Sequence, residues 1–118
     1  ARRKAILKRL RTWNPFSNSS PAEGITRAIH TFYEPGRRLS IYVLGDEFTG
    51  PSIDQVVRQV DRLNHDSEDG ERLVRIHALG FPLPVDHRGR TPLTGMRYAT
   101  LMRALCERNG GSFVGLVR

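Results

Sequence analysis

Apolar residues follow two rhythms along this chain. Ile53, Val56, Val57, Val60 and Leu63 recur at offsets of three, four, seven and ten. That spacing is one face of a helix, and Ser52 ahead of it is a favoured N-cap. Residues 39–44 keep a different rhythm. Ile41, Tyr42, Val43 and Leu44 run without a polar break, which predicts a strand buried on both faces, as in a parallel sheet. Residues 73–79 and 112–117 repeat the strand pattern. A helix is expected over residues 92–108, with Met96, Ala99, Met102, Leu105 and Cys106 among its apolar groups. Asn109-Gly110-Gly111 should close it, because glycine takes the left-handed conformation readily. Ser20-Pro21, with Glu23 three residues after the serine, starts a helix over 20–33 with a capping box. The first helix covers 2–13 and places Ile6, Leu10 and Trp13 on one face, the stripe by which it should pack.

The expected order is thus two helices, then strand, helix, strand, helix, strand. Strands alternating with helices imply right-handed crossovers and a parallel sheet. The fold class is α/β, a three-layer Rossmann-like arrangement with about three parallel strands. A basic helix over 1–14 precedes an α/β domain over 15–118. With 118 residues, the chain fits one domain with a core of its own.

Charge changes this picture at one place. The net charge is +7. Residues 1–12 hold Arg2, Arg3, Lys4, Lys8, Arg9 and Arg11 and no acid, while the other 13 basic and 12 acidic side chains nearly balance. Attraction to nucleic acid or an anionic membrane is therefore expected of that helix alone, as the lesser reading. Cys106 is the one cysteine, which excludes an internal disulfide or a cysteine-based zinc site. No run of about 18 apolar residues exists, and no signal-type apolar core stands at the start. A cytoplasmic location is the expectation.

The first strand delivers two carboxylates, Asp46 and Glu47, to its own end, followed by Thr49. Open α/β sheets bind ligands beyond the carboxyl ends of their strands. Enzymatic readings are weaker. Gly45 and Gly50 lack the Lys-Ser/Thr of a phosphate loop. A phosphoryl-receiving Asp46 would need acids from an earlier strand. Asp86 and His87 could form a dyad, but no serine stands on a nucleophile elbow. His30, His65, His77 and His87 make no zinc-type pair. His77, between Ile76 and Ala78, reads as a core or groove histidine. Cys106 reads as a buried, inert thiol.

Three segments carry a likeness to a known family. "LSIYVLGDEFTG" resembles the fourth strand of a von Willebrand factor type A domain, "LVRIHALGF" the fifth, and "LMRALCERNGGSFVGL" the last helix and strand. "SSPAEGITRAI" is similar to the segment entering the helix before the fourth strand. The resemblance covers residues 15 to 117 and implies a non-enzymatic protein-interaction module. In that family a divalent cation, usually Mg²⁺, sits at the strand ends. By the resemblance Asp46 falls on one ligand, and Ser19 or Ser20 falls near a threonine ligand. The Asp-x-Ser-x-Ser loop has no counterpart, Gly45 stands for the usual Ser/Thr, and Glu47 for the usual Gly. An incomplete cation site, holding Mg²⁺ weakly if at all, is therefore expected, with no other cofactor. Glu47, Thr49 and the six basic residues of the first helix are the candidate partner contacts. Two readings fit the missing part: a piece of a longer protein, or a shortened relative. Either leaves the strand at 41–44 on an edge, open to pairing with a second copy or to cover by the first helix.

Overall fold

The structure, a computed structural model, describes residues 1–12, 20–65 and 70–116. Its elements are α1 (Arg2–Thr12), α2 (Pro21–Phe32), β1 (Leu39–Gly45), α3 (Ile53–Leu63), β2 (Val74–Gly80), α4 (Leu93–Arg108) and β3 (Phe113–Gly115). The strands form one all-parallel sheet in the order β1-β2-β3. The α/β class is therefore as expected, in a form consistent with a partial Rossmann-like fold. Leu39 pairs with Val74 and Gly45 with Gly80; Ala78 pairs with Phe113.

Local chemistry sets the helix starts. The Ser20 and Ser52 hydroxyls accept from the backbone N–H of Glu23 and Gln55, at 3.3 and 3.2 Å. Each satisfies one donor that the first helical turn leaves unpaired. Before β1, Pro35 and Gly36 (φ 83°) reverse the chain, with Arg37 N–H bonded to the Glu34 carbonyl at 3.1 Å. Those are the preferred residues at the centre of a type II turn.

The core lies on one face of the sheet. Ile25 and Ile29 from α2, Val57 and Val60 from α3, and Leu101, Met102 and Leu105 from α4 pack on Val74, Ile76 and Ala78. Two crossovers that step the same way across a sheet, each right-handed, put their helices on the same side. The other face is left uncovered among the described residues. Two expectations change as a result. Residues 39–44 are not buried on both faces: Ile41 and Val43 turn inward, while Tyr42 and Leu44 are 64% and 59% exposed. A third layer is not formed by the described residues.

The first helix also departs from expectation. No residue of α1 is buried, and Ile6 and Leu10 stand in solvent. The stripe is narrow, and six cations crowd it; docking it would strip water from several of them, at a cost few apolar contacts offset. Trp13, the third residue of that stripe, lies outside the described residues. So α1 does not cover β1, which is an edge strand of the sheet. No helix of the described residues is long and apolar enough to cross a membrane.

One ion-pair cluster joins three elements. Asp61 on α3 accepts from Arg108 at the end of α4, through Nη2 at 2.6 Å and Nε at 2.9 Å, and from Arg72 Nη2 before β2 at 3.1 Å. The Arg108 hydrogen bonds, more than either positive charge, hold the Asp61 carboxyl below its ordinary value of 3.8, against a smaller opposing push from burial. A carboxyl depressed on folding adds stability above its unfolded pKa, and that stability is lost as pH falls through the folded value. Thermal melts should therefore show Tm dropping as pH falls below about 5 and continuing to drop past the ordinary carboxyl value of 3.8. Asp61→Asn should melt lower at neutral pH and show a smaller acid drop. An equal acid drop in both proteins would exclude the cluster as its cause.

Candidate functional site

The carboxyl ends of β1 and β2 are built around one tyrosine. Tyr98 on α4 is buried and donates its hydroxyl to the Leu79 carbonyl at 3.1 Å. Its ring lies flush against the end of β1, so a Cβ at Gly45 would sit 2.8 Å from it. That close approach leaves no room for a side chain at Gly45. Burial, with smaller pushes from Cys106 and Asp46, raises the Tyr98 phenol to about 12. The phenol therefore stays protonated at neutral pH and serves as a donor. The strand ends are tied further: Phe81 N–H donates to the Gly45 carbonyl and Leu116 N–H to the Gly80 carbonyl, both at 2.8 Å.

Residues 46–48 leave β1 and dock on the start of α4. Thr94 donates its hydroxyl to Glu47 Oε2 at 3.1 Å, and its carbonyl accepts from Phe48 N–H at 3.0 Å. Phe48 is buried, and the Arg97 guanidinium lies 4.9 Å above its ring centre. Asp46 is exposed, and its carboxylate makes no hydrogen bond or ion pair among the described residues. It borders a cleft of about 220 Å³ walled by Phe81, Pro82, Leu83, Tyr98 and Leu116. Arg103, stretched 5.7 Å over the Phe113 ring, reaches the same cleft.

The structure places the sequence-derived candidates as follows. Asp46 and Glu47 stand together at the strand end, and Thr49 is exposed on the loop after them. Ser20 is engaged as the cap of α2, and Ser19 lies outside the described residues. Arg2, Arg3, Lys4, Lys8, Arg9 and Arg11 are all exposed on α1. Mg²⁺ demands near-octahedral oxygen ligands, including one or two carboxylates. Here one carboxylate is unengaged, its neighbour is held by Thr94, and the described residues contain no cluster of three acidic, histidine or cysteine ligands. Those residues do not fit a magnesium cage.

The other candidate chemistry resolves into structure. Asp86 folds its own loop: Oδ1 accepts from the N–H of Arg88 and Arg90, at 2.9 and 2.8 Å, and Oδ2 from Arg90 Nε at 3.0 Å. These bonds, those of Arg90 first, hold its carboxyl below the ordinary range. It is a turn-former, with Gly89 at φ 78° closing the turn. Cys106 is buried, which pushes its thiol up to about 11. A thiol so poorly ionised is a weak nucleophile. Tyr98, Thr94 and Arg97 were not marked in the sequence. Their spacing on α4 is a signal only once α4 is known to start beneath β1's end.

The resemblance to a von Willebrand factor type A domain finds no independent identification: comparison with protein-family models, with curated proteins and with solved structures gives no significant match.

Proposed function

We propose that this chain is a non-enzymatic protein-interaction module that presents the carboxyl ends of its strands to a partner. One observation carries the reading. Asp46 stands exposed and unengaged at the rim of an apolar cleft, on a strand end fixed by Tyr98 and Thr94. A charge beside an apolar depression suits a partner segment with a basic side chain next to an apolar one. The likeness of residues 15–117 to a type A domain supports the same face and the same kind of role. Contact in this reading is direct, from Asp46 to the partner, and uses no bridging cation. A cytoplasmic setting belongs to the reading.

The test is affinity capture by the full chain, run side by side with Asp46→Lys and Phe81→Asp, with and without EDTA. A protein retained by the unmodified chain in both conditions, and released by both substitutions, is the expected result. Equal retention by Asp46→Lys would exclude this face. Release by EDTA alone would replace direct contact with a cation bridge.

A second reading rests on α1. Six cations, no acid and complete exposure make it an available contact for an anionic membrane or nucleic acid.

A further inference from the structure

The face of the sheet that α2, α3 and α4 leave open has a pattern of its own. Its outward positions are Ser40, Tyr42 and Leu44 on β1, and Arg75, His77 and Leu79 on β2. Tyr42 and His77 lie opposite each other, and their rings stack with centroids 4.9 Å apart and planes 17° from parallel. His77 is anchored from β3's side: its Nδ1 accepts from Ser112 N–H at 3.2 Å. The proton of the neutral ring then sits on Nε2. Among the described residues β1 is the edge of the sheet, and no described strand flanks the far side of Tyr42.

Arg75 is one outward step from His77, about 6.6 Å along the strand. Arg38 immediately precedes β1, and its side chain is exposed. Neither Arg38 nor Arg75 has a hydrogen bond or ion pair among the described residues. Both line a groove of about 530 Å³ with Arg37 and Arg72, which Glu34 and Asp61 hold in place at 3.3 and 3.1 Å. Glu71 is the acid in that lining. Two like charges bordering one groove repel each other, and a bound phosphate would relieve that repulsion.

Aromatic rings for stacking and guanidinia for phosphates, side by side on an open sheet, are the two elements that hold single-stranded nucleic acid. The exposure of the stack argues for a polymer. Small-molecule sites bury about 70–90% of their ligand, whereas Tyr42 is 64% exposed. We propose that this face binds single-stranded nucleic acid, with a base stacked on the free side of Tyr42 and backbone phosphates at Arg38 and Arg75. The surface is separate from the Asp46 end of the sheet, so the proposal stands independently of the protein-interaction reading. It also moves the expected nucleic-acid contact from α1 alone to the sheet.

Fluorescence anisotropy with a labelled oligouridylate of about twelve nucleotides tests it on the full chain. Saturable binding should weaken about tenfold in Tyr42→Ala and stay within about twofold in Tyr42→Phe, which keeps the ring. The Arg38→Gln/Arg75→Gln variant should lower the slope of log affinity against log salt by about 1.4. Asp46→Ala should leave binding unchanged. Three outcomes would overturn the proposal: no binding; equal affinity in Tyr42→Ala, with loss only in Arg2→Gln/Arg3→Gln/Lys4→Gln, which would assign binding to α1; or uridine monophosphate competing at the oligonucleotide's own concentration, which would make the site a nucleotide pocket.

Discussion

Replacing Asn64 by leucine is expected to cost about 4 kcal/mol of stability and to lower Tm by roughly 15 °C. Asn64 and Asn109 are fully buried, each with 0% exposure. Asn64 caps α3 and pairs with the first residue of β2 on both sides: Oδ1 accepts from Val74 N–H at 2.8 Å, and Nδ2 donates to the Val74 carbonyl at 2.9 Å. The same Nδ2 donates to Asn109 Oδ1 at 2.9 Å. The Asn109 Nδ2 in turn donates to the Leu105 carbonyl at 2.7 Å, while its backbone carbonyl accepts from Ile76 N–H at 3.2 Å. A leucine of similar size would fill the space and orphan the Val74 N–H, the Val74 carbonyl and Asn109 Oδ1. Each buried orphan costs about 1–3 kcal/mol, which is why the loss exceeds that of one ordinary hydrogen bond. Urea melts of Asn64→Leu, Asn109→Leu and the double variant check it. The double should lose less than the sum of the singles, because the two share a bond. Strict additivity, or a loss below about 1 kcal/mol for Asn64→Leu, would show that the network contributes little.

Elements with a rhythm of their own were legible in the sequence. The α3 stripe, the Ser20 and Ser52 caps and the Asn109-Gly110-Gly111 stop all lie within a few residues of observed boundaries. What the sequence misjudged was set by distant partners. An apolar run says that a strand is suited to burial, not that something covers both faces; Tyr42 and Leu44 are exposed because every packed helix falls on one side. The stripe of Ile6 and Leu10 likewise specifies a face without specifying what it meets. Asn64 and Asn109 look like ordinary polar helix ends, and their 45-residue separation conceals that one bonds the other.

The candidate sites divide in the same way. Asp46 and Glu47 were visible because a strand followed by acids is a local feature, and the structure keeps both at the strand end. Their different states were not visible, since the Thr94 hydroxyl that engages Glu47 comes from another element. Arg38 and Arg75 are 37 residues apart in sequence and border one groove because β1 pairs with β2. Net charge pointed to α1, whereas exposed guanidinia near an aromatic stack follow from strand pairing. Charge counting finds runs; it does not find pairs assembled by a sheet.

Gly110 and Gly111 stand side by side and should respond very differently to a single added methyl. Gly110 takes the left-handed conformation after α4, at φ 72°, while a Cβ there would meet nothing nearer than Arg75 Cγ at 3.7 Å. Gly110→Ala therefore costs only conformational strain, about 1 kcal/mol. Gly111 is needed for space instead. Its N–H donates to the Cys106 carbonyl at 2.9 Å, closing a Schellman-type end on α4. A Cβ at Gly111 would overlap the Ile76 carbonyl in the middle of β2. Neither side can yield easily. Ile76 is fully buried under α4, and its N–H is bonded to the Asn109 carbonyl; two residues on, Ala78 N–H bonds the Ser112 carbonyl. Moving the turn would break both bonds together with the Ser112 N–H bond to His77. Gly111→Ala should consequently cost about 4 kcal/mol or more, at the upper end for a point substitution. It should also loosen β3, so faster amide exchange at Ala78 and Leu116 is expected than in Gly110→Ala. Equal, small losses for the two alanines would mean that α4 and β2 can separate at this turn without cost. The close approach would then not be what selects the second glycine.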